Sequence, residues 1–108
     1  MAKEYIQVFT TTEKREDAER IAETLVRKRL AGCVQIMGPL SSTYWWKGEI
    51  QKAEEWLCLI KSEKDLYEKL EKTIKKIHPY DTPEITALPI IYASKEYLAW
   101  LDLELEHP

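Results

Sequence analysis

The sequence is poor in the residues that mark disulfide staples, flexible linkers and loops. Its 108 residues include only two cysteines, three glycines and five prolines. Two cysteines, Cys33 and Cys58, are too few and too widely spaced for a disulfide scaffold. Hydrophobic residues make up 44% of the chain, which is enough to fill one core without covalent help. We therefore predict a single domain over residues 1–108.

Excess positive charge and long apolar runs are also missing. The chain has 19 acidic and 16 basic residues, so no strong positive field would attract a phosphate backbone. No stretch approaches the roughly 18 to 20 apolar residues that a membrane span needs. No apolar signal segment precedes the first predicted strand. These features predict no nucleic-acid partner, no membrane partner and a cytoplasmic location.

Signatures of catalysis and of preformed metal sites are absent as well. The chain has no Walker loop, dinucleotide glycine fingerprint or nucleophile elbow. It also has no C-x-x-C or H-E-x-x-H motif that would encode a zinc site. Only two histidines are available as general bases. We predict that the protein is not an enzyme and needs no obligatory cofactor.

Apolar residues at helical spacing predict two helices in the body of the chain. Ala18, Ile21 and Leu25 lie at i, i+3 and i+7, with Thr12 as the expected N-cap and Gly32 as the expected terminator. The second helix is expected to begin with a capping box formed by Ser62 and Asp65. Its apolar stripe consists of Leu66, Leu70, Ile74 and Ile77.

Four runs rich in β-branched and aromatic residues predict strands, at 5–11, 33–46, 49–61 and 84–92. Lys47 and Gly48 supply the turn between the second and third strands, and Ser94 caps a final helix. The order βαββαβ plus a terminal helix is typical of an α+β, ferredoxin-like split βαβ fold, with an antiparallel sheet and helices on one face. Proline is tolerated on outer strands. The outer strands of this topology, the second and fourth, contain Pro39 and Pro89.

The predicted hairpin is longer than the domain that carries it. Thirteen residues at 49–61 would extend about 43 Å, whereas a domain of this length has a diameter of roughly 35 Å. The overhang carries Tyr44, Trp45 and Trp46, which place aromatic surface on both faces of the hairpin. Exposed aromatic patches usually mark interfaces. We predict that these three residues form the interface of a cyclic homo-oligomer.

Three segments resemble the CutA family of divalent-cation tolerance proteins. They are LAGCVQI at 30–36, STYWWKGEI at 42–50 and HPYDTPEI at 78–85, with Glu55 and Lys61 downstream of the second. Each segment is short, but their joint order and spacing are specific. The likeness covers nearly the whole chain.

The resemblance implies a ferredoxin-like protomer in a tight homotrimer with a role in tolerance to copper and other divalent metals. Cys33 and His78 match the cysteine and histidine of the family's segments. A thiolate with a nearby imidazole or carboxylate suits copper(II) or a similar divalent cation. We predict a metal site at Cys33 and His78, with Glu55 as a third ligand.

The resemblance also implies a polar cleft between subunits, lined by Glu55, Lys61, Tyr80 and Glu84. Plainer structural roles stay open for all of these residues. Cys33 would then be a small buried hydrophobe, and His78 a helix C-terminal cap. The cleft residues would be ion pairs and hydrogen bonds that fix the trimer.

Two residues are expected outside the predicted site, and two other functions share features of this sequence. Cys58 is expected in the core and His107 on a solvated terminal face. A trimeric signalling protein of the PII type, with a small molecule or partner protein in its subunit clefts, is the alternative function. An RNA-recognition motif shares the element order, but the third strand, EEWLCLIKS, lacks the basic and aromatic pattern of RNP1.

Overall fold

Four antiparallel strands form one sheet in a computed structural model that describes residues 3–106. The strands are β1 (Tyr5–Thr12), β2 (Cys33–Trp46), β3 (Glu49–Glu63) and β4 (Thr86–Ile90). Their order across the sheet is β2-β3-β1-β4, which leaves β2 and β4 on the outside. His107, expected on a solvated face, lies outside the described residues.

Three helices complete the α+β fold. They are α1 (Arg15–Arg27), α2 (Tyr67–Ile77) and α3 (Lys95–Glu104), and a 3-10 turn at Lys64–Leu66 precedes α2. The element order confirms the predicted ferredoxin-like fold, βαββαβ with a terminal helix. Among the described residues, no helix is long and apolar enough to cross a membrane.

One face of the sheet is buried under α1 and α2. Alternate residues of β1 are buried, beginning with Ile6 and Val8, because successive strand side chains point to opposite faces. The helices contribute Ile21, Leu25 and Ile74 to the same core. Cys58 is fully buried there, as predicted, and burial raises the pKa of its thiol to about 11.

The two strand prolines lie where the sequence places them. Pro89 is in outer strand β4, opposite Ile6. Pro39 is in outer strand β2, where the pairing with β3 shifts register between Met37 and Leu40. An outer strand has a row of backbone groups that no strand pairs with, so the missing N–H of proline costs no ladder hydrogen bond there.

The predicted boundaries of α1 are wrong at both ends. Thr12 belongs to β1, and its Oγ1 donates to the carbonyl of Lys14, so it does not cap the helix. The helix ends at Arg27, and Arg29 adopts the left-handed conformation with φ 57°. Gly32 has a different role, because an added Cβ would lie 2.5 Å from Leu101 Cδ1 of α3.

Two further local predictions need correction. Ser62 is in β3, and its Oγ donates to the carbonyl of Leu30 at 2.6 Å, so it forms no capping box with Asp65. The fourth strand is shorter than the predicted 84–92. The cap on α3 is confirmed, since the amide of Tyr97 donates to Ser94 Oγ at 3.2 Å.

The strands β2 and β3 continue well past the rest of the sheet. Pairing between β1 and β3 ends at Trp56, so among residues 3–106 the segment 49–55 pairs with β2 alone. We refer to residues 40–55 as the distal hairpin. Its turn uses positive φ angles of 50° at Lys47 and 81° at Gly48, as tight hairpin turns require. The longest dimension of the molecule is 46 Å.

Candidate functional site

A groove of about 670 Å³ lies at the base of the distal hairpin. Three parts of the chain meet there: the end of β1, the hairpin, and the segment that follows α2. Residues lining the groove are Thr11, Glu13, Ser42, Thr43, Tyr44, Trp45, Trp46, Ala53, Glu55, Tyr80, Asp81, Thr82 and Glu84.

His78 anchors the segment that forms one wall of the groove. It directly follows α2, and its ring is buried against β1. Nε2 lies 2.8 Å from the carbonyl oxygen of Thr11, which can only accept, so Nε2 carries the proton. Nδ1 then accepts from the amide of Tyr80 at 3.1 Å. Both ring nitrogens are therefore used within the chain.

The imidazole of His78 is held in its neutral form. Burial lowers its pKa below the usual value, although the Thr11 carbonyl and nearby carboxylates act in the opposite direction. A neutral ring gives the end of α2 no positive charge. His78 is nevertheless the C-cap residue of α2, with its backbone N–H donating to the Ile74 carbonyl at 2.8 Å. Its ring ties α2 to β1 through the Thr11 carbonyl.

Tyr80 and Glu55 form the polar centre of the groove. The Tyr80 hydroxyl donates to Glu55 Oε2 at 2.8 Å, joining the segment after α2 to β3. Glu55 is only 6% exposed although it lines the groove. Burial, followed by the carboxylate of Glu55, raises the pKa of Tyr80 above its ordinary range. The phenol therefore stays protonated and remains a donor at neutral pH.

The walls of the groove carry charge of one sign. Glu13, Glu55, Asp81 and Glu84 all line it, and the described lining includes no lysine, arginine or histidine. Glu84 accepts a hydrogen bond from Thr86 Oγ1 at 3.0 Å. The groove therefore presents a negative potential to any ligand that enters it.

Cys33 and Lys61 lie at the other end of the sheet. Cys33 is opposite Lys61 across β2 and β3, and Lys61 is opposite Gln7 of β1. Thr11, which His78 contacts, lies four positions along β1 from Gln7, so Cys33 and His78 are about 13 Å apart in the strand direction. The Lys61 ammonium donates to Gln35 Oε1 at 3.1 Å and does not line the groove.

The predicted site residues thus divide into two groups. Glu55, Tyr80 and Glu84 meet in the groove with the aromatic run 44–46, whereas Cys33 and Lys61 stay apart. Within the described part of the chain, no group of three or more His, Cys, Asp or Glu side chains is placed to hold a metal ion. One chain therefore does not assemble Cys33, His78 and Glu55.

Two acidic residues of the groove were not predicted. Glu13 lies just beyond the end of β1, and Asp81 lies in the segment HPYDTPEI without having been assigned a role. The position of Glu13 after a strand end carried a weak signal, because loops at strand ends often form sites. Its approach to the hairpin depends on sheet pairing, which local patterns do not encode.

Comparison with known proteins matches the chain to one family. The family model described as "CutA1 divalent ion tolerance protein" matches residues 6–104. A curated relative from Thermus thermophilus, named "Divalent-cation tolerance protein CutA", is 45% identical over 87% of this chain and 91% of its own length.

Solved structures of similar proteins share the whole fold. The CutA1 structure from Oryza sativa has a TM-score of 0.94 and 35% identity, covering 97% of this chain and 96% of its own. The CutA structure from Archaeoglobus fulgidus, which is described as periplasmic, has a TM-score of 0.91 and 37% identity over 94% of this chain and 99% of its own.

Proposed function

This chain belongs to the CutA1 family of divalent ion tolerance proteins, and we propose that it serves tolerance to divalent metal ions as a non-catalytic homotrimer. The match to the family over residues 6–104 is the observation that carries this proposal. The family is named for tolerance and not for a reaction, which supports a non-catalytic role.

Exposed apolar surface on the distal hairpin supports the trimer. Trp45 is 71% exposed and Ile50 is 59% exposed, and the two are cross-strand partners on one face of the hairpin. Leu88 on outer strand β4 is also largely exposed. Neighbouring copies that covered these side chains would remove apolar area from water and pair the free strand edges. The number three comes from the family resemblance.

Light scattering coupled to gel filtration tests the assembly at about 10 μM chain. We expect three times the mass of one chain for the parent protein. Trp45→Glu should shift the mass toward that of one chain, because it places a charge on the exposed hairpin face. Val26→Glu is the matched control, since Val26 is an exposed hydrophobic residue on α1. A parent protein with the mass of one chain would overturn the trimer.

Direct metal binding is the finer part of the proposal, with copper(II) or another divalent cation as the ligand. Cys33 is free and partly exposed, so its sulfur is accessible as a soft ligand. His78 and Glu55 lie too far from Cys33 to join it within one chain, because ligands of one metal lie about 4 Å apart. We therefore assign the predicted ligands Cys33, His78 and Glu55 to a site shared between subunits.

The environment of His78 makes Cys33 the principal ligand in this proposal. A metal that binds His78 must displace either the Thr11 carbonyl from Nε2 or the Tyr80 amide from Nδ1. Cys33 has no such competitor among its hydrogen bonds in the described chain. Loss of Cys33 should therefore weaken copper binding more than loss of His78 does.

Calorimetric titration with copper(II) tests the metal site. The Cys33→Ser variant should lose measurable uptake, whereas Cys58→Ala, which removes the buried thiol, should titrate like the parent protein. The chelator EDTA should reverse binding to the parent. Unchanged titration of Cys33→Ser would overturn a direct metal site, while leaving membership of the family and the trimer untouched.

The PII-type alternative keeps one supporting observation, which is the groove itself. A small molecule could bind there, but four carboxylates in the lining would repel the phosphates of a nucleotide. We therefore expect no thermal shift with a panel of nucleotides. The cytoplasmic location and the absence of a nucleic-acid partner stay predictions, and subcellular fractionation tests the first of them.

A further inference from the structure

The terminal helix α3 is fastened to the rest of the domain at its C-terminal end. Leu101 and Leu105 are buried there, and Asp102 forms an ion pair with Lys3, which precedes β1. By contrast, the segment that leads into the helix and the first helical residues, 91–96, are all exposed in the single chain. The helix is therefore held at one end and joined to β4 by an exposed segment.

Arg29 forms the centre of this fastening. It follows α1 and has φ 57°, a left-handed conformation that suits glycine and strains other residues. Its Nη1 donates to the main-chain carbonyl of Glu104 at 3.1 Å and to the same residue's Oε2 at 3.3 Å. Its own carbonyl accepts from the amide of Glu106 at 2.7 Å. A cation at the end of α3 also complements the orphan carbonyls and the dipole of that helix.

The helix α3 lies over the start of β2. A Cβ added to Gly32 would lie 2.5 Å from Leu101 Cδ1 and 3.7 Å from Trp100 Cζ3, so α3 packs directly on the backbone there. Cys33, the next residue, is only partly exposed although β2 is an outer strand. Burial raises the pKa of Tyr97, and the charge of an ionised Cys33 adds to that rise, which places the two side chains near each other. The helix therefore limits access to the Cys33 sulfur.

The surface contacts of α3 are weak enough to open. We refer to the ion pairs Lys3–Asp102 and Arg29–Glu104 as the latch of α3. All four side chains are 37% to 59% exposed, and ion pairs at such positions are screened by salt. Two leucines of this region join the buried core, whose other members lie outside α3. The sheet, α1 and α2 thus keep most of their core when α3 moves, as local opening requires.

We propose that α3 is a hinged cover on the start of β2, held closed by the latch, and that its opening exposes the thiol of Cys33. The hinge is the exposed segment 91–94, and the sheet stays folded when the cover moves. Opening sets how fast a soft metal ion or a thiol reagent reaches the sulfur. Control of metal access to Cys33 rests on the proposed function, whereas the motion itself involves no metal.

Thiol reactivity measures the opening on the full chain, with EDTA present. Cys58→Ala leaves Cys33 as the only thiol of the chain, and Cys33→Ser leaves only the buried Cys58. Each background reacts with excess dithiobis-nitrobenzoic acid, and the released thionitrobenzoate is followed by absorbance. Arg29→Ala should speed the reaction of Cys33 about fivefold and leave that of Cys58 within about twofold, because only α3 opens. No acceleration at Cys33, or an equal or larger one at Cys58, would overturn the cover.

Two further arginine variants separate a latch from a strained turn. Arg29→Gly suits φ 57° without strain, so a role in the turn alone predicts that Cys33 reacts no faster than in the parent. That result would contradict the latch, which predicts acceleration in Arg29→Gly as in Arg29→Ala. Arg27→Ala is the matched control, because Arg27 is exposed and pairs with Glu23 inside α1 at 2.8 Å. Acceleration by Arg27→Ala as large as by Arg29→Ala would also refute the latch.

Hydrogen exchange followed by mass spectrometry locates the opening without thiol chemistry. In Arg29→Gly, amides of 97–105 should exchange faster than in the parent, while those of β1 keep their protection. Faster exchange in β1 to the same degree, or unchanged exchange in α3, would show that no separate cover exists. Light scattering on the same samples reports the assembly, and copper titration reports the metal site. Failure of the cover would therefore be distinguishable from failure of the proposed function.

Discussion

The body of the domain and the distal hairpin share strand β3 but differ in how far they bury its apolar side chains. At one end of β3, Ile60 is completely buried beneath α1 and α2. At the other end, Ile50 is 59% exposed, and in the described part of the chain its backbone pairs with β2 alone. The body buries its apolar residues within one chain. The hairpin leaves its apolar residues exposed in the single chain, and the candidate groove lies where the two regions meet.

This contrast separates stability from function. Core residues of the body contribute to folding whether or not another molecule is present, because their partners are in the same chain. The exposed aromatic residues of the hairpin gain stability only when a neighbouring copy or a ligand covers them. Mutations in the two regions should therefore differ in effect even when the residue types are identical.

The largest expected difference is between two isoleucines of β3. Ile60→Ala leaves a cavity in the core and should lower the free energy of unfolding by about 2 to 5 kcal/mol. Ile50→Ala removes an exposed side chain and should cost less than about 1 kcal/mol. Guanidinium unfolding at one fixed chain concentration measures both, because the proposed assembly would make stability depend on concentration. Equal losses would show that Ile50 is as deeply covered in the assembly as Ile60 is in the body.

Two glycines extend the comparison to close packing. Gly32→Ala should cost about 1 to 3 kcal/mol, because its new Cβ would lie 2.5 Å from Leu101 Cδ1 in the buried core. Gly48→Ala meets no atom within 4 Å, but φ is +81°, so strain alone should cost about 1 kcal/mol. The same unfolding assay applies. A larger loss for Gly48→Ala would indicate that the hairpin tip is packed against another molecule.

The pH dependence of stability tests the junction between the two regions. The pKa of His78 in the folded chain is lowered by burial from its ordinary value of 6.5. Above that value both states are neutral, so stability is unaffected. As pH falls below 6.5, the unfolded state binds the proton first, and stability should decrease until the folded-state pKa is reached. In unfolding at pH 7.5, 6.5 and 5.5, His78→Gln should show a shallower decrease than the parent, and identical slopes would refute this role for His78.

The smallest expected effects come from two exposed cations over tryptophan rings. Arg15 lies 5.3 Å from the ring centre of Trp56 in the body, and Lys47 lies 5.7 Å from that of Trp46 in the hairpin. Arg15→Ala and Lys47→Ala should each cost about 0.5 to 1 kcal/mol. Guanidinium unfolding measures both changes, and a loss well above about 1 kcal/mol in either variant would contradict a role limited to this ring contact.

Local patterns predicted the elements well and their ends less well. The stripe of Ile21 and Leu25 and the prolines of the outer strands follow from side-chain spacing and from the missing proline N–H. Thr12 and Ser62 were predicted as helix caps, but each hydroxyl bonds a backbone carbonyl from within a strand. A residue type that suits a cap also suits these other partners, and sequence spacing does not distinguish them.

The candidate site was predicted in part, through resemblance more than through local chemistry. Glu55, Tyr80 and Glu84 were assigned to one cleft, and they do line one groove. Glu13 and Asp81 were missed, because they reach the groove only through the packing of three separated segments. The distance between Cys33 and His78 could not be predicted from the sequence either, because it depends on strand register and on the packing of the end of α2 against β1.

The sequence by itself determined the order of elements, the outer positions of β2 and β4 and the family of the chain. Periodicity, proline chemistry and motif spacing are local properties, because each depends on residues that are close together in the sequence. Only the tertiary structure decided that the His78 ring is neutral with both nitrogens engaged, and that Glu55 is buried with the Tyr80 hydroxyl as its donor. Burial and charge compensation depend on residues far apart in the chain, which come together only when the sheet pairs and the helices pack on it.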